Sequence, residues 1–216
     1  MVKVKICGFT NTADLKVACK LGVDMVGTIV EIPKSPRRVT IDQAKQILAA
    51  ASKGVDKVAV AMPKNVGEVE RIARELKPDY LQFHFTFPAD ELLELKKRLG
   101  IKLISVIAIS PKVEGHQEMI SRAMEATRVA DFLMLDTKGP SGGGTGLTHD
   151  WNLSRRIRDV VNKPMFLAGG LNPSNVKEAI RLVRPYGVDV STGVESSSGK
   201  KDARLMREFI VAAKGV

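Results

Sequence analysis

Apolar and polar residues alternate at the start of the chain. Val2, Val4 and Ile6 are separated by Lys3 and Lys5, the two-residue period of a strand with one covered face. Further on the period lengthens to that of a helix. Ile41, Ala44, Ile47, Leu48 and Ala51 fall on one helical face, and Leu205, Met206, Phe209, Ile210 and Ala213 repeat the pattern near the end. Strand-like and helix-like segments take turns between these two, and their junctions are alike. Leu21-Gly22-Val23-Asp24, Lys53-Gly54-Val55-Asp56, Leu99-Gly100-Ile101-Lys102 and Tyr186-Gly187-Val188-Asp189 each set a glycine where a helix gives way to a strand. A left-handed residue is expected just past a helix C-terminus. Lys77-Pro78-Asp79 uses proline for the same stop. Reading between these marks predicts eight strands, near residues 2–7, 24–30, 56–62, 79–84, 101–107, 131–135, 163–168 and 187–191, each followed by a helix.

Alternation of this kind implies parallel strands joined by crossover helices. Eight units in 216 residues favour an α/β fold closed into a (β/α)8 TIM barrel, one domain over residues 1–216, with a doubly wound open sheet as the alternative. The longest irregular stretch runs from Asp136 to Asp150, beyond the end of a strand. No apolar run approaches the roughly 20 residues of a membrane span. The first residues read as a strand and lack a signal-peptide pattern, and there are two cysteines, so a cytoplasmic protein without disulfides is expected. The formal charge of +10 raises the question of nucleic acid. The positive residues are dispersed, however, and the densest cluster, Arg155, Arg156 and Arg158 beside Asp159, lies on one solvated helix. No nucleic-acid partner is expected; a basic surface instead suits an anionic small molecule. Monomer and homodimer both remain open.

The working residues of such a barrel gather at the C-terminal ends of its strands. That rule selects Cys7, Arg37, His84, Asp136, the glycine-rich stretch with Gly144 and Gly146, Gly169-Gly170, and Ser191-Thr192-Gly193. Asp136 alternates in phase with Phe132 and Met134 and so should point inward over the mouth. Glycines let backbone N–H groups approach an anion, hydroxyls add donors, and phosphate sites in this fold recur after strands seven and eight. The turns at 169–170 and 191–193 therefore predict phosphate binding. The glycine-rich stretch lacks both the dinucleotide and the P-loop spacing and says little alone. His84, His116 and His149 show no metal-ligand spacing, and no metal is expected. His149 should order its loop beside Asp150 and Trp151. Strand phase adds one pair: Lys5 shares the parity of Cys7, and Asp189 that of Ser191. Closure sets these strands side by side, so the two charges should meet inside the barrel.

These residues occur within longer matches: Lys5-Ile6-Cys7-Gly8 with Thr10-Asn11; Pro33-Lys34-Ser35-Pro36-Arg37; Leu81-Gln82 with His84; Leu135-Asp136-Thr137; Gly143-Gly144-Thr145-Gly146 with Asp150-Trp151; Ala168 to Pro173; and Val188 to Glu195 with Lys201-Asp202. In this order they resemble the phosphoribosylanthranilate isomerase family over nearly the whole chain. The resemblance implies a cofactor-free Amadori rearrangement of N-(5-phosphoribosyl)anthranilate in tryptophan biosynthesis. It implies Cys7 as base and Asp136 as acid. Arg37 would hold the anthranilate carboxylate, with His84 also on the substrate side. The turns at 169–170 and 191–193, with the 143–146 loop, would hold the phosphate. Thr28, Phe85 and Leu147 depart from the family's usual aromatic residue, glycine and lysine. A paralogue for another phosphorylated aminosugar and a non-enzymatic phosphate sensor are the alternatives.

Overall fold

The computed structural model describes residues 1–84, 87–110, 115–137 and 147–216. Eight strands form the barrel: β1 (Lys3–Cys7), β2 (Met25–Val30), β3 (Asp56–Val60), β4 (Tyr80–Phe83), β5 (Lys102–Ile109), β6 (Phe132–Thr137), β7 (Met165–Leu167) and β8 (Gly187–Val190). The helices between them are α1 (Thr12–Lys20), α2 (Ile41–Ala49), α3 (Val66–Leu76), α4 (Ala89–Leu99), α5 (His116–Ala126), α6 (Trp151–Val160), α7 (Val176–Val183) and α8 (Ala203–Lys214). All barrel pairings are parallel, and β1 closes the ring by pairing with β2 on one side and β8 on the other.

The residue pattern explains the two layers. On β2, Met25 faces the barrel interior and Val26 the helices; on β6, Phe132 and Met134 face in while Leu133 and Leu135 face out. The interior holds Met25, Val58, Tyr80, Ile104, Val106, Met134, Phe166 and Ala168. A larger shell lies between strands and helices, fed by Ile41, Ala44 and Ile47 of α2 and by Met206, Phe209 and Ile210 of α8. Among the described residues, no helix is long and apolar enough to cross a membrane.

One junction and one added strand differ from expectation. Gly22 and Gly100 take positive φ of 86° and 63° where their helices end. Gly187 does not: α7 stops at Arg184, itself left-handed with φ 52°, and Gly187 opens β8. Its hydrogen is required because a Cβ there would collide with the Phe166 ring inside the barrel. The second difference is an added strand of two residues, Arg38–Val39, beside the end of β2. It fixes the chain just before the Thr40–Gln43 capping box that starts α2, and so sets where Arg37 enters the mouth.

Candidate active site

Lys5 and Asp189 lie opposite each other in the β1–β8 register, and the ammonium meets the carboxylate at 2.8 Å. Lys5 is wholly buried, so the expected pair forms inside the barrel. Burial alone would pull the Lys5 ammonium down, but the charges of Asp189 and Cys7 offset this and leave it raised. Cys7 stands one inward step above Lys5. Gly27 on the neighbouring strand makes the room: a Cβ there would lie 3.1 Å from Cys7 Sγ and 3.4 Å from Lys5 Nζ. Burial pushes the Cys7 thiol up; Lys5 and Lys201 draw it down without cancelling that effect. Lys5 therefore favours the thiolate, but burial outweighs it.

Asp136 occupies the other side of the pair. It lines a cavity of about 130 Å³ together with Ala168, Gly169, Gly170, Asp189, Ser191, Thr192 and Gly193. Burial, reinforced by the Asp189 charge, pushes its carboxyl up to about 6, although the Thr137 N–H donates to it at 2.7 Å. A carboxyl that remains partly protonated near neutral pH can donate a proton.

The glycine turns form the cavity wall. Gly169 and Gly170 have φ of 83° and 67°, a pair of left-handed residues that turns the chain sharply after β7. Asn175 locks this turn, donating to the Gly170 carbonyl at 3.0 Å and accepting from the Asn172 N–H at 2.9 Å. Gly193 packs so close to Leu171 and Asn172 that a side chain there would strike the Leu171 carbonyl. The turns after β7 and β8 thus pack on each other, which follows from their lack of side chains. Behind them His149 bridges Thr137 Oγ1 at 2.8 Å and Ser154 Oγ at 2.6 Å. Burial pushes this imidazole down to about 4, so it is neutral at pH 7 and ties the end of β6 to α6.

Arg37 reaches the same rim but with a partner of its own. Its Nε and Nη2 meet the Glu195 carboxylate at 2.7 and 2.6 Å, and Nη2 also donates to Thr192 Oγ1 at 3.1 Å. Gly8 permits this, since a Cβ there would stand 2.6 Å from Arg37 Cδ. The Nε–Nη2 edge thus holds Glu195 and the second Nη2 hydrogen goes to Thr192, so these contacts involve Nε and Nη2 and not Nη1.

His84 is not brought to this cavity. It lines a separate cleft between α4 and α5, with Ser105, Ile107 and Arg122, away from the cavity of Asp136. β4 ends at Phe83, so strand alternation no longer directs the next side chain, and the ring turns to the Val106 backbone and Arg122. Thr28 follows inward-facing Gly27 and so faces the helices, leaving the mouth unaffected by that departure. Gly144, Gly146 and Phe85 lie outside the described residues. Glu195 and Lys201 entered the sequence reading as matched motifs with no role attached. The signal for their pairing was Ser198-Gly199 between them, a turn that sets Glu195 opposite Lys201 in a short hairpin, Glu195–Ser197 against Lys200–Lys201.

The closed parallel barrel defines a (β/α)8-barrel enzyme, the fold in which catalytic groups gather at the C-terminal ends of the strands. The family model for N-(5'phosphoribosyl)anthranilate (PRA) isomerase matches residues 4–212. The chain is 44% identical to the N-(5'-phosphoribosyl)anthranilate isomerase of Methanocella arvoryzae, over 97% of each chain. The crystal structure of phosphoribosyl anthranilate isomerase from Thermotoga maritima is similar throughout both chains, with a TM-score of 0.86 and 35% identity. A second structure of such an isomerase, in complex with reduced 1-(o-carboxyphenylamino)-1-deoxyribulose 5-phosphate, covers both chains fully with a TM-score of 0.83 and 32% identity. The chain belongs to the N-(5'-phosphoribosyl)anthranilate isomerase family.

Proposed function

We propose that this barrel isomerises N-(5'-phosphoribosyl)anthranilate, in tryptophan biosynthesis, with Asp136 as general acid and Cys7 as general base. The observation that carries the assignment is the pair of proton-handling groups flanking Lys5–Asp189, one of them a buried carboxyl held at about 6 beside two glycine turns. Opening the furanose requires a proton at the ring oxygen. Asp136 supplies it while the anilino nitrogen lone pair expels that oxygen from C1, giving an open-chain iminium and an Asp136 carboxylate. The Cys7 thiolate then removes the C2 proton. The released electron pair forms a C1–C2 double bond and neutralises the iminium nitrogen. Protonation at C1 and loss of the C2 hydroxyl proton yield the 1-amino-1-deoxyketose. No redox partner enters, since C1 is reduced as C2 is oxidised. Steady-state turnover of the substrate, followed as loss of anthranilate-type fluorescence, tests the reading directly; absence of turnover by the purified chain refutes it.

The turns at Gly169–Gly170 and Ser191–Gly193 take the phosphate in this reading. Crystals soaked in sulfate should place an anion between the backbones of Gly170 and Gly193, and an anion found solely elsewhere removes the assignment. Arg37 meets the anthranilate carboxylate through Nη1, which the contacts to Glu195 and Thr192 do not use. Arg37→Ala should raise KM about tenfold or more while kcat falls less, because a charge-assisted contact is lost from ground and transition states alike. An unchanged KM would favour a substrate without the aromatic carboxylate.

A further inference from the structure

The hairpin beyond β8 delivers one buried ammonium to the rim, and its contacts reach both ends of the substrate site. Lys201 has a fully buried side chain whose Nζ meets Glu195 Oε1 at 2.8 Å, the Ser191 carbonyl at 3.1 Å and Ser191 Oγ at 3.4 Å. Glu195 in turn grips Arg37 through both carboxylate oxygens, its side chain 3% exposed. The hairpin is itself fastened to the loop after β1 and to the first turn of α1. Thr10 Oγ1 donates to the Gly199 carbonyl at 2.7 Å, and the Lys201 N–H donates to Asp14 Oδ2 at 2.9 Å. Ser191 lines the cavity with Gly193 and Asp136, whereas Arg37 approaches from the β2–α2 connection. A chain of short polar contacts therefore runs from the phosphate-side turn through Lys201 and Glu195 to the carboxylate-side arginine. It contains two cations and one carboxylate, so it adds positive charge where an anion must sit.

We propose that Lys201 is a positioning residue that ties the phosphate-holding turn at Ser191 to Arg37 through Glu195, fixing the spacing between the two anionic ends of the substrate. Glu195 balances the buried Lys201 charge, while the Ser191 carbonyl and hydroxyl take its other hydrogens. The link to Glu195, which carries no other cation but Arg37 and Lys201 among the described contacts, is what joins the two ends. Glu195→Gln and Lys201→Met separate the halves of this arrangement. The amide keeps the shape of Glu195 but loses its charge on Arg37, whereas the thioether lets go of Ser191 and Glu195 together.

The inference rests on the functional reading above, so its test is a binding measurement independent of turnover, with inorganic phosphate and anthranilate titrated separately into the folded chain. Lys201→Met should weaken both probes, each by about tenfold, the loss expected for one charge-assisted hydrogen bond. Glu195→Gln should weaken anthranilate similarly and shift phosphate less than about threefold. In turnover, Lys201→Met should raise KM with kcat changed less than about threefold, since it acts on placement and not on the proton transfers. If Lys201→Met alters one probe alone or neither, the tie does not exist. Should that variant fail to fold, Glu195→Gln decides: unchanged anthranilate binding overturns the proposal, and selective loss upholds it. A wild-type chain that binds both probes but turns over no substrate refutes the functional reading and leaves the tie standing.

Discussion

Asp136→Asn should lower kcat by about 10²–10⁴-fold, the usual contribution of a positioned acid or base, and should leave the barrel folded. The amide matches the carboxyl in shape and can still accept the Thr137 N–H bond, but it has no proton to give the ring oxygen. The variant should also be more stable than the parent at pH 7. A carboxyl whose folded pKa is raised to about 6 from 3.8 binds more protons folded than unfolded across that window. Stability consequently falls as pH rises from about 4 to 6, and the deficit, of order 2–3 kcal/mol, stays above it. Asparagine removes the deficit. Cys7→Ala should match the loss of rate, because a methyl group cannot take the C2 proton. The paired groups also set the pH profile. Asp136 must be protonated and Cys7 ionised, yet the acid titrates near 6 and burial raises the thiol above its ordinary 9.0. The singly protonated pair exists between those values, with the productive arrangement a minority of it. kcat/KM should be level across neutral pH and decline below about 6, where Cys7 and Asp136 are both protonated. Near-wild-type kcat in either variant would end the acid–base assignment.

How much of this was legible beforehand depended on the range of the contacts involved. The eight strands could be read because alternation and helix-stopping residues are local. The inward direction of Asp136 followed from Phe132 and Met134 two and four residues before it. Lys5 and Asp189 could be paired across 184 residues because barrel closure supplies the missing geometry. Where no such rule operated, the reading failed. Gly187 looked like another helix stop, since nothing in Tyr186-Gly187-Val188 reports the Phe166 ring that needs its space. His84 lay one residue past the strand, where alternation no longer applies. Arg38–Val39 and the Glu195–Lys201 hairpin are too short to show a period. The Arg37–Glu195 grip spans 158 residues and crosses the seam of the barrel. Its partners are recognisable only once β8 and the connection after β2 are known to meet.

Lys5→Met should cost about 3–5 kcal/mol of folding stability at pH 7, the range for removing one partner of a buried ion pair. Methionine has nearly the volume of the lysine stem, so packing inside β1 changes little and the loss isolates the charge. What remains is Asp189, a residue 8% exposed, beside a second acid, Asp136, in an interior otherwise lined by Met25, Val58, Ile104 and Met134. The parent sequence tolerates these two carboxyls together because the Lys5 charge acts on both: it pairs with Asp189 and draws Asp136 down as Asp189 pushes it up. Without Lys5, Asp136 rises above about 6 and the folded state holds its proton more tightly. The penalty must then depend on pH in a definite direction. A carboxyl raised in the folded state costs nothing below its unfolded value and costs most above its folded one. The Lys5→Met deficit should therefore be larger at pH 7 than at pH 5, measured by urea unfolding at both. Replacing Asp189 as well, in Lys5→Met/Asp189→Leu, should recover much of the loss, since an apolar pair leaves no unmatched charge. A single variant within about 1 kcal/mol of the parent at pH 7 would mean that the pair is dispensable to the fold. A deficit independent of pH would place its cause in packing, not in the stranded carboxylates.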